Sequence, residues 1–294
     1  MAVLDHMTTE RAAGYERDGF VVVNDLLDDA DLATLRGEAA RICRGDLGEI
    51  PGITPTAADE TDEDVLARYL CIHHPHKTSA VAAAYISHPP IVEVLVDLIG
   101  PNVKCMQQML FIKSSGKPGQ AWHQDEDYIP TRDRSLIAAW IAMDDATVEN
   151  GCLWAIPGSH APGILWPMKQ TDDPDFDCND ESYGFPYADD EGVSIEVAAG
   201  SVVFFNGYLL HRSMRNRAVS GFRRSLVNHY MRCESLLPWR RPPEDVFVAQ
   251  HDHRDVVVVA GRDPYASRGY ADVVFTHVRP ENHGGCRPED LSRK

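Results

Sequence analysis

The sequence is short of basic residues and has no long apolar run at its N-terminus. Its 294 residues include 28 Lys and Arg against 45 Asp and Glu, which gives a formal net charge of −17. Nucleic acids and anionic membranes are bound through basic surfaces, so this balance argues against both as partners. The opening stretch MAVLDHMTTE contains acidic residues, and we expect neither a signal peptide nor a membrane anchor there.

Paired cysteines are also absent. Seven cysteines are scattered along the chain, and no two of them have the two-residue separation of a zinc knuckle. Secreted disulfide scaffolds are short chains with an even number of cysteines. We therefore expect reduced cysteines and a cytoplasmic protein, and the sequence indicates no particular oligomeric state.

No repeat or low-complexity tract divides the chain. Its length suits one large β-rich unit, so a single domain over residues 1–294 is predicted. Residues 8–100 contain mainly helical patterns around one short strand, FVVV. From about 102 to 235 the chain has short segments rich in Val, Ile, Phe and Trp, separated by turn residues. This texture is typical of an antiparallel barrel or jelly roll, so the predicted fold class is mainly β with packed helices.

An acidic, turn-rich segment at about 163–192 is predicted to be an insertion near one mouth of the barrel. Such a segment can act as a lid or form a solvated loop, and the sequence favours neither. Nine acids lie between Asp172 and Glu191. If the insertion covers a pocket, these charges are expected to repel a polyanion such as coenzyme A and to favour a neutral or cationic small molecule.

The stretch AWHQDEDYIP, residues 121–130, contains a His-x-Asp pair. In an extended strand His123 and Asp125 point to the same side and Gln124 to the other, so the pair can bind one metal ion. His211, at the end of the strand-like run GSVVFFNGYLLH, is the best placed third ligand. Two histidines and a carboxylate form the facial triad of non-haem Fe(II) oxygenases, which leaves positions open for cosubstrate and oxygen. By itself, a His-x-Asp pair is more typical of a charged surface turn.

The wider pattern resembles the phytanoyl-CoA dioxygenase family of Fe(II)- and 2-oxoglutarate-dependent oxygenases. The resemblance covers most of the chain and runs, in order, through GFVVV, LFIKSSGKPGQAWHQDEDYIP, AAWIAMDDATVENGCLWAIPGSH, AAGSVVFFNGYLLHRSMRN and GFRRSLVNHY. It implies a double-stranded β-helix with helices packed along one sheet. It also implies that His123, Asp125 and His211 bind Fe(II), that 2-oxoglutarate is the cosubstrate and that O2 is consumed.

The distal carboxylate of 2-oxoglutarate needs its own anchor. A guanidinium provides one best, through two parallel hydrogen bonds. The resemblance places this arginine in GFR, at Arg223. Strand alternation supports Arg223 over Arg224, because it puts Ser225 on the same face as Arg223, where its hydroxyl can bind the same carboxylate.

Three further residues are candidates for the cosubstrate pocket. Strand alternation puts Gln107 and Lys113 on one face of the strand before the His-x-Asp pair. Similar family members use the position of Lys113, and sometimes that of Gln107, around the cosubstrate. Trp140 is a further candidate for the pocket wall, with plain core packing as an equal alternative.

Four residues are predicted near the substrate. Asp127 and Tyr128 follow the metal-ligand candidates, although Asp127 is slightly more typical of a solvated turn. The resemblance places CIHHPHK, residues 71–77, near the substrate entrance, which makes His76 and Lys77 pocket candidates. Glu126 is expected to point away from the pocket.

By this resemblance the protein hydroxylates an unactivated C–H bond of a small-molecule metabolite and releases succinate and CO2. The same iron centre also supports desaturation, cyclisation or epimerisation, which the sequence does not separate. Retention of Asp125 disfavours halogenation, because related halogenases have a small residue at that position. A non-catalytic jelly roll that binds a metal or ligand is the alternative of another class, and the presence of all three metal-ligand candidates and of Arg223 disfavours it.

Overall fold

The computed structural model describes residues 9–177, 180–238 and 252–279. The helices in these ranges are α1 (Thr9–Asp18), α2 (Asp29–Arg44), α3 (Asp62–Leu66), α4 (Ala80–Ala84), α5 (Pro89–Ile99) and α6 (Asp125–Tyr128). The strands are β1 (Phe20–Val23), β2 (Cys71–His73), β3 (Val103–Ser114), β4 (Gly119–His123), β5 (Ile137–Ala142), β6 (Leu153–Ala155), β7 (Met168–Gln170), β8 (Phe176–Asp177), β9 (Asp180–Ser182), β10 (Val193–Ile195), β11 (Val202–Asn206), β12 (His211–Ser213), β13 (Phe222–Arg232), β14 (Val257–Ala260) and β15 (His277–Val278). Within the described ranges, no helix combines the length and the apolar character that crossing a membrane requires.

Two facing sheets form the core. The larger sheet has the order β1-β11-β5-β13-β3-β2-β15, and β14 also pairs with β3. The smaller sheet has the order β10-β6-β12-β4-β8. From β3 to β6 and from β10 to β13, the chain passes between the two sheets in the pattern of a double-stranded β-helix. The predicted fold class, mainly β with a jelly-roll core, is thereby confirmed.

The larger sheet extends beyond the predicted core limits of 102 and 235. β1 and β2 come from the N-terminal part, which was predicted to be mainly helical, and they join β11 and β3. β14 and β15 come from residues 257–278 and pair with β3 and β2. Strands of only two or three residues carry little periodic signal, which explains why the sequence did not predict β2 and β15.

A layer of helices covers the outer face of the larger sheet. Apolar side chains of α1, α2 and α5 pack there against outward-facing strand residues such as Leu110 and Leu226. The ends of α2 are set locally, since Asp28 and Asp31 form a reciprocal capping box. Gly45 ends the helix at a φ of 77°. The inner faces of the two sheets enclose a second apolar cluster and, beside it, a pocket.

The acidic insertion packs against the smaller sheet. β8 lies parallel to β4, and β7 and β9 form a separate two-stranded sheet. Aromatic side chains of the insertion, Trp166, Phe185 and Tyr187, contact a cluster that contains Trp122 of β4. The insertion is therefore held against the barrel by a paired strand and by apolar contacts.

Candidate metal centre

Three side chains meet at one end of the smaller sheet. His123 is the last residue of β4 and His211 the first residue of β12, and the two are paired across these neighbouring strands. Asp125 begins α6 directly after β4. Its Oδ1 lies 3.7 Å from Nε2 of His123 and 3.6 Å from Nε2 of His211. One ligand atom from each residue lies within 4.8 Å of the others, so the three can hold a single ion.

The local structure differs from the predicted continuous strand. β4 ends at His123, Gln124 is extended, and the chain then turns into α6, so Asp125 is not a strand residue. β11 ends at Asn206, and His211 begins the next strand instead of ending that run. A close approach of backbones aligns β12 with β4. A Cβ atom at Gly119 would lie 1.8 Å from the carbonyl oxygen of Ser213.

The residues between the ligand candidates point away from the centre, as expected. The Gln124 side chain donates to the carbonyl oxygens of Tyr208 and Ile164 at 2.7 and 2.9 Å. Glu126 is buried and accepts from the backbone N and Oγ1 of Thr131, both at 2.6 Å. Burial raises the pKa of Glu126 to about 7. Both side chains fix the turn that presents Asp125.

Backbone carbonyls orient both imidazoles. Nδ1 of His123 lies 2.8 Å from the carbonyl oxygen of Ala121, and Nδ1 of His211 lies 3.0 Å from that of Leu209. A carbonyl only accepts, so each Nδ1 carries the proton and each Nε2 lone pair faces the centre. Burial, with the neighbouring His211, lowers the pKa of His123 to about 3. This ring is neutral at physiological pH, which is the form that binds metal.

The second oxygen of Asp125 has its own partner. Nε2 of His229, on β13, lies 3.2 Å from Oδ2 of Asp125. Burial alone would raise the pKa of Asp125, but His211 and the hydrogen bond from His229 hold it below its usual value. The carboxylate is thus ionised, with Oδ1 left for a metal. A donor set of two neutral imidazoles and one carboxylate suits Fe(II), and the triad faces an open pocket.

The pocket lies between the two sheets and has about 950 Å³ of empty space, its mouth included. Its walls are largely apolar and include Leu70, Met109, Phe111, Ile129, Leu153, Phe205 and Val227. Inward-facing residues of β3 and β13 line one wall of the pocket. The pair at each end of this row, Lys113 with Arg223 and Gln107 with His229, is polar or charged. We call the end with Arg223 and Lys113 the cationic end, and the end with Gln107 and His229 the amide–imidazole end.

Arg223 is a buried cation at the cationic end. It is 3% exposed, and its Nη1 donates to Oγ of Ser225 at 3.0 Å. The guanidinium lies 5.4 Å from the ring centre of Trp140. Burial lowers the pKa of Arg223 to about 10, so it stays charged at neutral pH. Its Nε has no hydrogen-bond partner, and none of the described carboxylates forms an ion pair with it. A charged group left in this state fits the carboxylate of a bound molecule.

Arg224 faces the opposite way. Its Nε and Nη2 donate to the two oxygens of Asp144 at 2.8 and 2.7 Å on the outer side of the sheet. The two arginines therefore lie where strand alternation predicted, one toward the pocket and the other away from it.

Lys113, on β3, is paired with Arg223 on β13, and its ammonium group is already hydrogen-bonded within the protein. Its Nζ donates to the carbonyl oxygen of Met214 at 2.6 Å, to Oγ of Ser213 at 3.0 Å and to the carbonyl oxygen of Gly151 at 3.2 Å. An ammonium has three donors, and all three are used here. Burial and the charge of Arg223 lower the pKa of Lys113. Lys113 thus connects its own strand, β3, to the turn at Gly151 and to the segment of Ser213 and Met214 around the cationic end.

Gln107 lines the pocket but belongs to its other end. It is paired with His229 across β3 and β13, whereas Lys113 is paired with Arg223. Six residues of strand separate Gln107 from Lys113, a distance of about 20 Å. The structure therefore does not bring Gln107 together with the other residues predicted around the cosubstrate.

The residues predicted near the substrate are divided by the structure. Tyr128 lines the pocket, with its ring 6.1 Å from that of His123, whereas Asp127 is exposed and does not line it. His76 and Lys77 are also absent from the lining. The chain turns at His74, with a φ of 52°, into a short helical turn that carries both side chains away from the sheet.

The ion pairs of Lys77 agree with its position away from the pocket. Lys77 is bound by Asp255 and Asp272, outside the pocket. His73, the last residue of β2, lines the pocket from the same segment instead.

Sequence reasoning missed a contribution of the C-terminal segment. Arg279, directly after β15, lines the pocket and forms a buried ion pair with Asp177 of β8. Arg212 also lines the pocket and pairs with Asp189 at 2.7 Å. Basic residues of the barrel thus pair with acids of the insertion. The expectation that these acids repel a polyanion is therefore not supported.

The comparisons with known proteins agree with this geometry. The family model for phytanoyl-CoA dioxygenase (PhyH) matches residues 15–225, which is more than half of the chain. The chain belongs to the phytanoyl-CoA dioxygenase family. Peroxisomal phytanoyl-CoA dioxygenase of Rattus norvegicus is 32% identical over 236 residues, covering 76% of this chain and 68% of the rat protein. The family predicted from the sequence motifs is confirmed.

Solved structures with the same fold include two enzymes. The non-haem monooxygenase ThoJ, in its apo form, has a TM-score of 0.64 at 22% identity and covers 86% of this chain and 84% of its own. The epimerase SnoN, in complex with Fe3+, alpha-ketoglutarate and nogalamycin RO, has a TM-score of 0.59 at 23% identity, covering 79% and 85%. At these identities the likeness shows the fold.

Membership of the phytanoyl-CoA dioxygenase family identifies the protein as an oxidoreductase of the iron- and 2-oxoglutarate-dependent type. The grouped His123, Asp125 and His211 are compatible with iron, and the pocket offers a buried cation for a carboxylate. The cofactors predicted from the sequence, iron with 2-oxoglutarate as cosubstrate, are confirmed at this level.

Proposed function

We propose that the protein hydroxylates an unactivated C–H bond of a small-molecule metabolite, with consumption of 2-oxoglutarate and O2 and release of succinate and CO2. One observation carries the proposal. Two neutral imidazoles and a carboxylate face the same pocket as a buried arginine that has no carboxylate partner among the described residues. In this proposal His123, Asp125 and His211 are the iron ligands.

The protein's own contribution is binding, orientation and exclusion of water. When bound together, iron(II) and 2-oxoglutarate activate dioxygen and supply the oxidant that attacks a C–H bond. His123, Asp125 and His211 would hold the ion from one side, and the pocket side would remain for cosubstrate and oxygen. Apolar walls made by Met109, Phe111 and Phe205 keep water away from the reacting groups.

Arg223 and Ser225 are proposed to bind the distal carboxylate of 2-oxoglutarate. The hydrogen bond from Arg223 to Ser225 and the face of Trp140 hold the guanidinium in place. Because all donors of Lys113 are taken by protein groups, its proposed role is to supply positive charge and to shape this end. Tyr128 is proposed to contact substrate near His123.

A second outcome at the same centre is epimerisation, cyclisation or desaturation. The fold neighbour SnoN is an epimerase with alpha-ketoglutarate, which keeps this alternative open. A non-catalytic binding protein is the alternative of another class. The grouped metal-ligand candidates and the buried Arg223 without a carboxylate partner among the described residues argue against it, since a binding module does not need both.

We also propose a cytoplasmic location and no nucleic-acid partner. The five cysteines that the structure describes are all free and buried, which suits a reducing compartment. The net charge of −17 disfavours contact with a polyanion such as DNA or RNA. Microscopy of the tagged protein in its native host tests the location.

A metabolite-library screen tests the proposed function. Purified protein is loaded with Fe(II) under anaerobic conditions, mixed with 2-oxoglutarate and O2, and assayed for succinate with and without each compound. A true substrate raises succinate formation and gains one oxygen atom by mass spectrometry. Loss of two hydrogens indicates desaturation or ring formation, and an unchanged mass with altered stereochemistry indicates epimerisation. Absence of succinate with every compound supports the binding protein.

A further inference from the structure

The amide–imidazole end contains two buried side chains that face each other across a strand pair. Gln107 is 1% exposed and His229 is 4% exposed, and both line the pocket. They are paired between β3 and β13, where the register shifts between His229 and Tyr230. Such a bulge aims a side chain in a direction that regular alternation does not allow, and bulges are frequent beside active sites.

The bulge changes the direction of β3 side chains. Cys105 packs in the core under the helices, whereas Gln107, two residues later, lines the pocket. In a regular strand the two would share a face. The bulge therefore turns Cys105 into the core, whereas Gln107 keeps the inward alternation of Met109, Phe111 and Lys113 and faces the pocket.

Hydrogen bonding at His229 defines the chemistry of its free nitrogen. Nε2 of His229 lies 3.2 Å from Oδ2 of Asp125, which is an ionised acceptor, so Nε2 carries the hydrogen. Nδ1 is then the ring nitrogen that remains for a ligand. It is buried and has no hydrogen-bond partner, and the same is true of Nε2 of Gln107, which is a donor. Two polar atoms are thus unsatisfied at the same end of the pocket.

Unsatisfied buried polar atoms are unusual in native proteins and call for a partner. The partner is not 2-oxoglutarate bound at Arg223. Ser213 contacts Lys113 at the cationic end, and the ligand candidate His211 lies two residues before it on β12. His229 contacts Asp125 on the opposite side of the triad. The metal-ligand candidates therefore stand between the two ends.

We propose that Gln107 and His229 form a substrate subsite for an uncharged hydrogen-bonding group, a hydroxyl or a carboxamide. A hydroxyl accepts from Gln107 and donates to Nδ1 of His229, and a primary carboxamide does the same with its oxygen and its NH2. This inference rests on the proposed function, because it assigns the side of the metal opposite Arg223 to the substrate. The apolar walls at Leu70, Met109 and Ile129 suit an aliphatic remainder.

Charged groups fit this pair poorly. A carboxylate places a second acceptor against the lone pair of His229, and an ammonium places a donor against the N–H of Gln107. A charge in a largely apolar wall also needs an opposite charge to offset its desolvation. The nearest carboxylate, Asp125, is committed to the metal and to His229.

Binding of four small probes to the full-length protein tests the inference. The protein is loaded with Zn(II) and 2-oxoglutarate, which prevents turnover, and titrated with hexanamide, 1-hexanol, hexanoate and hexylamine by ligand-observed NMR and calorimetry. We expect hexanamide and 1-hexanol to bind at least about tenfold more tightly than the two ions, a difference of about 1.4 kcal/mol. Tighter binding of hexanoate, or no binding of hexanamide, overturns the subsite.

Two variants and one control localise the effect. Gln107→Met keeps the shape of the side chain and is expected to weaken hexanamide about tenfold, with the 2-oxoglutarate Kd changed less than twofold. Gln107→Glu is expected to reverse the order of hexylamine and hexanamide. Gln170→Leu changes an exposed glutamine of β7 that does not line the pocket and is expected to leave the hexanamide Kd unchanged. Equal binding of hexanamide by Gln107→Met and wild type contradicts the proposal.

The same titrations separate this inference from the proposed function. If Gln107→Met weakens 2-oxoglutarate instead of hexanamide, then Gln107 belongs to the cosubstrate site and the subsite is wrong. If the wild type binds no 2-oxoglutarate with metal present, then the proposed function fails, whatever the probes do. Unfolding temperatures of the variants show that each is folded.

Discussion

The two ends of the pocket solve different problems with different chemistry. At the cationic end, Arg223 is buried without a carboxylate partner among the described residues, and it is paired with Lys113 across β13 and β3. At the amide–imidazole end, Gln107 and His229 offer one donor and one acceptor. The cationic end is the proposed site for the distal carboxylate of 2-oxoglutarate, a cosubstrate that enzymes of this chemistry share. The other end is the proposed subsite for the substrate, which differs between them.

The largest loss of activity is expected from removal of a metal-ligand candidate, because both ends of the pocket are proposed to act on molecules held next to the metal. Asp125→Ala, like His123→Ala or His211→Ala, is expected to abolish succinate formation and to raise the metal Kd more than about 100-fold. Mutation of residues that only support metal ligands already weakens metal binding by about 10–100-fold. Metal titration and a succinate assay measure this. Asp46→Ala, a change at an exposed acid outside the pocket, is the control. Metal binding by Asp125→Ala at wild-type affinity contradicts the assignment.

The next largest effect concerns the cationic end alone. Arg223→Leu is expected to raise the 2-oxoglutarate Kd about 100-fold, because truncating one partner of a buried charge pair costs about 2–5 kcal/mol. Calorimetry with Zn(II)-loaded protein measures it, and hexanamide binding should not change. Arg224→Leu loses its ion pair with Asp144 and should lower the unfolding temperature only. If Arg224→Leu weakens 2-oxoglutarate and Arg223→Leu does not, the two roles are reversed.

A smaller effect is expected at Lys113. Lys113→Met removes a charge but no direct ligand contact, since all three donors are bound to protein groups, so the 2-oxoglutarate Kd should rise about tenfold. The unfolding temperature should fall more than in Arg223→Leu, because three buried acceptors lose their donor. Calorimetry and thermal unfolding of both variants make the comparison. A rise in Kd as large as that of Arg223→Leu shows a direct contact instead.

The smallest effect is expected at Trp140. Its ring lies beside the guanidinium of Arg223, and a cation–π contact contributes about 0.5–1 kcal/mol. Trp140→Leu should therefore weaken 2-oxoglutarate about threefold and leave hexanamide unchanged. Phe205→Leu, a change to another aromatic wall residue, is the matched control in the same titration. An equal loss in both variants means that Trp140 acts through packing alone.

Alternation along strands explains what the sequence could predict. The inward positions of β13 and most of β3 follow a period of two, so the amino-acid pattern alone could place Arg223, Ser225 and Lys113 at one end of a pocket. The same rule paired His123 with Asp125, although Asp125 lies in a helical turn, because Gln124 is still extended. Alternation also put Gln107 on the pocket face, but it could not show which end of the pocket Gln107 occupies.

Long-range contacts explain the rest. Arg279 and Asp177 are 102 residues apart, and no local pattern predicts that they meet. The prediction that His76 and Lys77 line the pocket was wrong for a local reason. The chain turns at His74, which has a positive φ, and the sequence HHPHK does not indicate this conformation. His229 lies on the same face of β13 as Arg223 and Ser225, yet its contact with Asp125 depends on how the two sheets face each other.

The pairing of β14 and β15 with the larger sheet has an evolutionary consequence. The family match ends at residue 225, yet Arg279 lines the same pocket as the three metal-ligand candidates. A substitution at Arg279 would alter the pocket lining from a segment outside the family match, without changing His123, Asp125 or His211. Exchange of this segment between relatives is therefore a way to vary one wall of the pocket while the three metal-ligand candidates stay the same.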